Sequence, residues 1–429
     1  MAPPLIRLVR SAPDPLGLFL RVAQAGQKDS QTFITAGDAA FSGVVFEAKR
    51  VEKQKELLAL VLEHRIDAVL DPQTQAMATL GGYARPSMDN LPWSLKRPHT
   101  VNDFSAELAR RKFADEIAQF AIKYGFTQIL APTHLIAGPN DPWLDIDIAT
   151  TTALRSALQR RNASSIQINY SLAISYEAFR NAAKRSVVLD RLKSLDIDSL
   201  WLHVDGCGSD SSPTAVTKYG DAATDFHCLG VPIVADHMGG LVGLALLAFG
   251  AVGGVSHGIT VGERFSCGHW KKAPTGKGFA QGLRVYFPDL DLMLPRIDAE
   301  KVFETGGKAR SAFGCRNTSC CSRGIPDMLQ APVRHFLFKR TREVAGLSQI
   351  PESLRPTQFL EEHLRPASDR ALVAMSLALP EPLQKKMASQ SKRLNELRIA
   401  LGTYAQKRRE HATFAQHPKT RAAREIRRS

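Results

Sequence analysis

The chain has 429 residues, 44% of them apolar, enough for one large core plus appendages and too many for a minimal scaffold stapled by crosslinks. Six cysteines exclude a disulfide framework, and the net charge of +14 at pH 7 favours polyanionic partners such as nucleic acid. Leu5, Ile6, Leu8 and Val9 are interrupted by Arg7 and Arg10, which excludes a secretory core, and Leu241–Val255 is glycine-broken and too short to span a bilayer, so a cytoplasmic, non-membrane protein is expected.

Eight short β-rich runs alternate with helical patterns. In chain order they are Thr32–Thr35, Ala68–Asp71, Gln128–Ala131, Ile166–Asn169, Leu200–His203, Pro232–Ala235, Ala251–Val255 and Leu283–Phe287. Several are nearly continuous apolar runs, as parallel strands covered on both faces require. Strict βα alternation predicts a (β/α)₈ TIM-like barrel over residues 31–295, after an N-terminal segment 1–30; an open doubly wound sheet is the alternative if the first run fails. Residues 72–104 read as a long loop rich in proline and glycine, the kind that shapes a binding site. A Cys/His segment follows over 296–345, then a helical, basic extension over 346–429. From residue 381 onward there are 13 Lys/Arg against 4 Asp/Glu, so the tail reads as a separate electrostatic object that holds RNA or DNA.

Barrels of this class carry their chemistry at the C-terminal strand ends. Those ends supply Asp71, Thr133 and His134, Asn169 and Tyr170, His203 and Asp205, Asp236 and His237, and Ser256 and His257. Any one of these residues can instead be a cap or a satisfied core group; six successive strands presenting polar groups at one level point to a pocket. Asp71, Asp205 and Asp236 are candidate nucleophiles, bases or metal ligands, with His203, His237 and His257 to move protons or complete a metal shell. His134, Asn169, Tyr170 and Ser256 are candidate substrate contacts. Gly239, Gly240 and the glycines to Gly254 suggest a phosphate cradle at a helix N-terminus; close helix–strand packing is the competing reason for the same glycines.

Cys315-x4-Cys320-Cys321 followed by His335 supplies three thiols and an imidazole for a tetrahedral structural Zn²⁺, with unligated buried thiols as the alternative. Barrel order and this Cys/His segment together resemble the tRNA-guanine transglycosylase superfamily, including relatives that act on DNA. The family's pattern is Cys-x-Cys-x2-Cys, so the cysteine spacing here differs, and Ser256 and His257 occupy the strand end where the family carries its nucleophilic aspartate. The resemblance implies a zinc-stabilised barrel that exchanges a nucleobase through a covalent intermediate. Asp236 or Asp71 would attack C1′ or act as base, Asn169 and Asp205 would read the base edge, and tail lysines and arginines would hold phosphates. Two other classes are open: a small-molecule enzyme that binds a ligand's phosphate at Gly239–Gly254, and a catalytically silent nucleic-acid-binding module.

Overall fold

The computed structural model describes residues 15–23, 26–79, 81–83, 86–271, 282, 284–408 and 413–426. Eight parallel strands close a barrel: β1 (Gly17–Arg21), β2 (Gly43–Glu47), β3 (Asp67–Asp71), β4 (Gln128–Leu130), β5 (Gln167–Ile174), β6 (Ser199–Val204), β7 (Ile233–Asp236) and β8 (Gly254–Gly258). Pairing of β1 with β8, Gly17 opposite Gly254 and Arg21 opposite Gly258, completes the ring. The interior is packed by a layer of Phe19, Val45, Val69, Leu130, Trp201 and Val234, in which the Phe19 and Trp201 rings lie 4.9 Å apart. Alternate residues on the same strands face outward into the larger core beneath the helices. The helices are started by local chemistry: the Asp141 carboxylate accepts from Trp143 N ahead of Pro142, and the Ser212 hydroxyl accepts from Ala215 N ahead of Pro213.

The fold class is the one expected, with a different membership of the ring. Thr32–Thr35 ends the helix Gln27–Thr35, where Ser30, Phe33 and Ile34 form the buried face. A four-residue apolar run does not distinguish a strand from one turn of an amphipathic helix. The first two strands are instead Gly17–Arg21 and Gly43–Glu47, so the barrel spans 17–258 and takes in part of the N-terminal segment. The last expected run, whose Leu283 lies outside the described residues, contributes Arg284–Phe287 (β9). This strand pairs antiparallel with Leu292–Pro295 (β10) in a hairpin outside the ring.

The C-terminal region is helical and is integral to the barrel. The helix Pro332–Ser348 buries His335, Phe336, Leu337 and Phe338. The helix Glu381–Arg408 buries Leu383, Met387, Leu394, Leu397, Leu401 and Tyr404, one face at near-heptad spacing, and leaves Lys385, Lys392, Arg398 and Lys407 exposed. Residues 413–420 then run along the N-terminal end of the barrel. Ala415 N donates to Gly250 O at 2.9 Å, and a Cβ on Gly253 would lie 1.9 Å from Gln416 O. Glycine is therefore required at Gly253 so that the tail can lie flat against β8. Arg424 continues this contact with an ion pair to buried Asp67. Among the described residues no helix is long and apolar enough to cross a membrane.

Candidate active site

Three strand ends meet on one guanidinium. Arg21, at the end of β1, donates from Nε to Asp236 Oδ1 at 2.9 Å, from Nη2 to Asp236 Oδ2 at 2.5 Å and from Nη1 to Asp71 Oδ2 at 2.6 Å. Burial works against the charge on Arg21, but the two aspartates outweigh it and hold its pKa above the ordinary value. Burial likewise opposes ionisation of Asp236. Arg21, His203 and His237 overcome that effect and keep its carboxyl well below the usual range. His203 Nε2 lies 3.1 Å from Asp236 Oδ2, and burial pushes this imidazole down to about 4 despite the pull of the carboxylate.

Each aspartate also shapes its own loop. Asp71 Oδ1 accepts from Gln73 N at 2.8 Å and Asp236 Oδ1 from His237 N at 2.7 Å. Gln73 and His237 both have left-handed backbone, φ 61° and 57°, which costs a non-glycine residue about 1–2 kcal/mol. The strain turns both side chains toward a cavity of ≈ 180 Å³ lined by Arg21, Glu47, Asp71, Gln75, His203 and His237. Phe265 and Trp270 from the loop after β8 form its aromatic wall, their centroids 5.6 Å apart. Half-buried His237 places Nδ1 3.3 Å from Gly262 O, so an Nδ1–H tautomer leaves Nε2 with a free lone pair. The site thus offers carboxyl groups, neutral imidazoles and amide groups around a slot with one aromatic side.

The structure gathers Asp71, His203, Asp236 and His237 of the sequence candidates and disperses the rest. Asp205 Oδ1 accepts from Cys267 N at 2.7 Å, so it fastens the loop that carries Phe265 and does not face the cavity. His257 turns outward onto Phe336, with centroids 5.8 Å apart. Ser256 is fully buried below the cavity level, opposite Phe19. β5 runs to Ile174 and not to Asn169. Asn169 therefore lies in the opposite end of the barrel, donating to Gln128 Oε1 at 2.8 Å and accepting from Ser199 Oγ at 2.7 Å, while Tyr170 packs in the outer core. His134 is stacked on Trp143 at 3.7 Å and joins Asp147 and His99 in a buried chain, at 2.7 and 3.2 Å, which anchors the long 72–104 loop.

The expected phosphate cradle is divided between the two ends of the barrel. Gly239 and Gly240 lie at the mouth, but the helix N-terminus there already holds a carboxylate. Leu241 N donates to Asp291 Oδ1 at 2.9 Å, and a Cβ on Gly239 would lie 2.2 Å from Glu263 Oε1. Gly250, Gly253 and Gly254 pack against the tail at the other end. The sequence reading missed Arg21, Glu47, Gln73, Gln75, Phe265 and Trp270. Assigning Gly17–Arg21 and Gly43–Glu47 as strands exposes Arg21 and Glu47 as their C-terminal residues; no short-range signal marks the others.

His203, Asp236 and His237 also present ligand atoms within 4.8 Å of one another. Both Asp236 oxygens are already engaged by Arg21, so a cation there would meet an occupied carboxylate and a resident positive charge. Cys315, Cys320, Cys321 and His335 form a different, buried group within the same 4.8 Å limit. Cys320 Sγ and Cys321 Sγ lie 3.7 Å apart and each lies 3.4 Å from His335 Nδ1. Metal–sulfur bonds of about 2.3 Å in a tetrahedron give edges of about 3.8 Å, so these separations suit a metal ion. His335 Nε2 is 3.1 Å from Tyr286 O; donating there fixes the tautomer that leaves Nδ1 free as a ligand. The adjacent cysteines both reach the centre because the turn at Asn317, whose carbonyl accepts from Cys320 N and Cys321 N, curls them to one side.

No protein-family model matches the sequence, and no curated protein matches it. Among solved structures, the chain is similar to the endo-1,4-beta-xylanase XylE of Penicillium canescens at 9% identity, covering 56% of this chain and 81% of that one with a TM-score of 0.36. Deoxyribose phosphate aldolase from Aeropyrum pernix gives 13% identity, 56% and 83% coverage and a TM-score of 0.32. A GH18 chitinase from Pseudoalteromonas aurantia gives 11% identity, 56% and 93% coverage and 0.36. At these identities the likeness is one of barrel fold and says nothing of activity.

Proposed function

We propose that this chain is a barrel enzyme that takes a nucleobase into its mouth and transfers it to or from a sugar, in the manner of the transglycosylases its sequence resembles. The observation that carries the reading is the Asp71–Arg21 pair, backed by buried Asp236, facing a slot of single-heterocycle size with Phe265 and Trp270 as an aromatic wall. Aromatic rings stack on any base, and the amides of Gln73 and Gln75 offer edges for its N–H and C=O groups. Gln73 Oε1 is buried without a partner, an acceptor left open to a donor from the ligand. Of the two carboxylates, Asp71 is the better nucleophile toward C1′, because its side chain lines the slot while that of Asp236 is fully buried behind Arg21. As Asp71 attacks C1′, the glycosidic bond breaks and the base leaves with its electron pair. The base takes its proton from a water held by His237 Nε2, and an incoming base then attacks C1′, displaces the Asp71 carboxylate and returns a proton to that water.

A polynucleotide or a nucleoside could carry that base, and a strand would have to present it flipped out. In this reading the nucleic-acid contact expected of the tail falls on its part nearest the mouth, Lys386 of the helix Glu381–Arg408, while Arg424 pairs with Asp67 at the opposite end. The Cys₃His group is assigned a structural Zn²⁺, which would tie residues 315–321 to the helix Pro332–Ser348.

Incubation with labelled guanine and either RNA or single-stranded DNA tests the reading. Incorporation by wild type and a loss of about 100-fold or more in Asp71→Asn would support it. Absence of both incorporation and calorimetric guanine binding in folded wild type would overturn it. Elemental analysis should give about one zinc per chain in wild type and none in Cys320→Ala.

A further inference from the structure

A second cavity, ≈ 440 Å³, lies beside the mouth, between the loops after β6 and β8, the β9–β10 hairpin and the helix Glu381–Arg408. Arg264 borders both cavities. The acidic residues along the wall are already matched. Asp291 faces Arg393 and Leu241 N, and Asp210 faces Arg264. Glu263 faces Arg340 at 3.5 Å, and burial raises its carboxyl to about 7. Two partly buried cations, Arg284 and Lys386, have no ion pair among the described residues, and they face the same space. The Lys386 ammonium is held below its ordinary pKa, by burial first and then by the charge of Arg284, with only Asp298 acting the other way. Two like charges held together in a partly desolvated recess are unfavourable until an anion lies between them.

We propose that this cavity is a phosphate subsite, in which Arg284 and Lys386, with the free edge of Arg264, bind a phosphate ester on the ligand whose base occupies the mouth. The identity of the mouth's occupant rests on the nucleobase reading; the phosphate site does not. The anion would lie beside the Gly239–Gly240 helix terminus and not on it, because Asp291, which lines the same cavity, already fills that terminus. Arginine supplies forked donors and lysine a point charge, the pairing common at phosphate sites.

The experiment compares wild type with the double variant Arg284→Gln/Lys386→Gln in chloride buffer, using four probes: inorganic phosphate, guanosine 5′-monophosphate, a single-stranded oligonucleotide and free guanine. Phosphate-bearing probes should raise the melting temperature of wild type, and the double variant should bind them about tenfold or more weakly. Guanine binding should not change between the two proteins. Without anions, Lys386→Gln alone should melt no lower than wild type, since it removes a repulsion, and Lys386→Arg should keep phosphate binding. Equal phosphate affinity in wild type and the double variant would overturn the subsite. A wild type that binds phosphate but not guanine retains the subsite and defeats the nucleobase reading. A steep salt dependence confined to the oligonucleotide identifies a polynucleotide as the source of the phosphate, and equally tight monophosphate binding identifies a small molecule.

Discussion

Both ends of this barrel carry buried polar side chains, and they are treated in opposite ways. At the N-terminal end Gln128, Asn169 and Ser199 bond to one another, and Asp67 bonds to Thr127 and to Arg424 of the tail. At the C-terminal end Arg21, Asp71, His203 and His237 surround open space with Asp236 buried behind Arg21, Gln73 and His237 hold left-handed backbone, and Gln73 Oε1 is left without a partner. Polarity at a strand end is therefore a poor indicator of function by itself. Unfilled valence around a cavity separates the working end from the structural one; left-handed backbone does not, since Arg65 and Asn162 adopt it ahead of β3 and β5.

Four measurements would break or sharpen that contrast. Arg21→Ala strands two buried carboxylates and should cost about 3–5 kcal/mol in denaturant unfolding; a loss under about 1 kcal/mol would mean that the two aspartates do not depend on it. Acid should act next. Burial holds His99 and His134 down to about 3, against an unfolded value near 6.5. The unfolded chain therefore binds more protons between these values, so stability is complete above pH 6.5 and falls as pH drops toward 3. The slope is up to about 1.4 kcal/mol per pH unit for each histidine. His99→Phe should flatten the stability–pH curve over that window, and an unchanged curve would remove these histidines from the account.

Arg424→Ala breaks the ion pair with Asp67 at the sealed end and should cost about 2 kcal/mol, because Arg424 is only partly buried. Guanine binding at the mouth should not change; a drop in both would join the two ends that the structure keeps apart. The smallest expected effect is that of His237→Gly. Relief of the left-handed backbone offsets the lost contacts, leaving stability within about 1 kcal/mol while turnover is lost. A large destabilisation would instead make His237 a structural residue.

Much of the architecture was legible. Runs such as Ala68–Asp71 and Leu200–His203 are continuously apolar because helices cover one face and the barrel core fills the other, and that pattern survives in the sequence. Asp71, His203, Asp236 and His237 were recognisable because each stands at or just beyond the end of such a run. The same rule failed at Asn169, where β5 continues through Ser171 and Ala173. Apolarity marks the middle of a strand better than its end. It fails again at Arg21, because Gly17–Arg21 lies in the N-terminal segment 1–30, outside the expected barrel.

The sequence by itself determined the alternation of strands and helices, the supply of thiols and imidazole for a metal centre, and the amphipathic face of Glu381–Arg408, because each is a local pattern of residue type and spacing. Tertiary structure decided which eight runs close the ring, which carboxylate fills the helix terminus at Gly240, and which end of the barrel the tail seals. These outcomes depend on contacts between residues far apart in the chain, Gly17 with Gly254, Leu241 with Asp291 and Asp67 with Arg424, and no local spacing records such contacts.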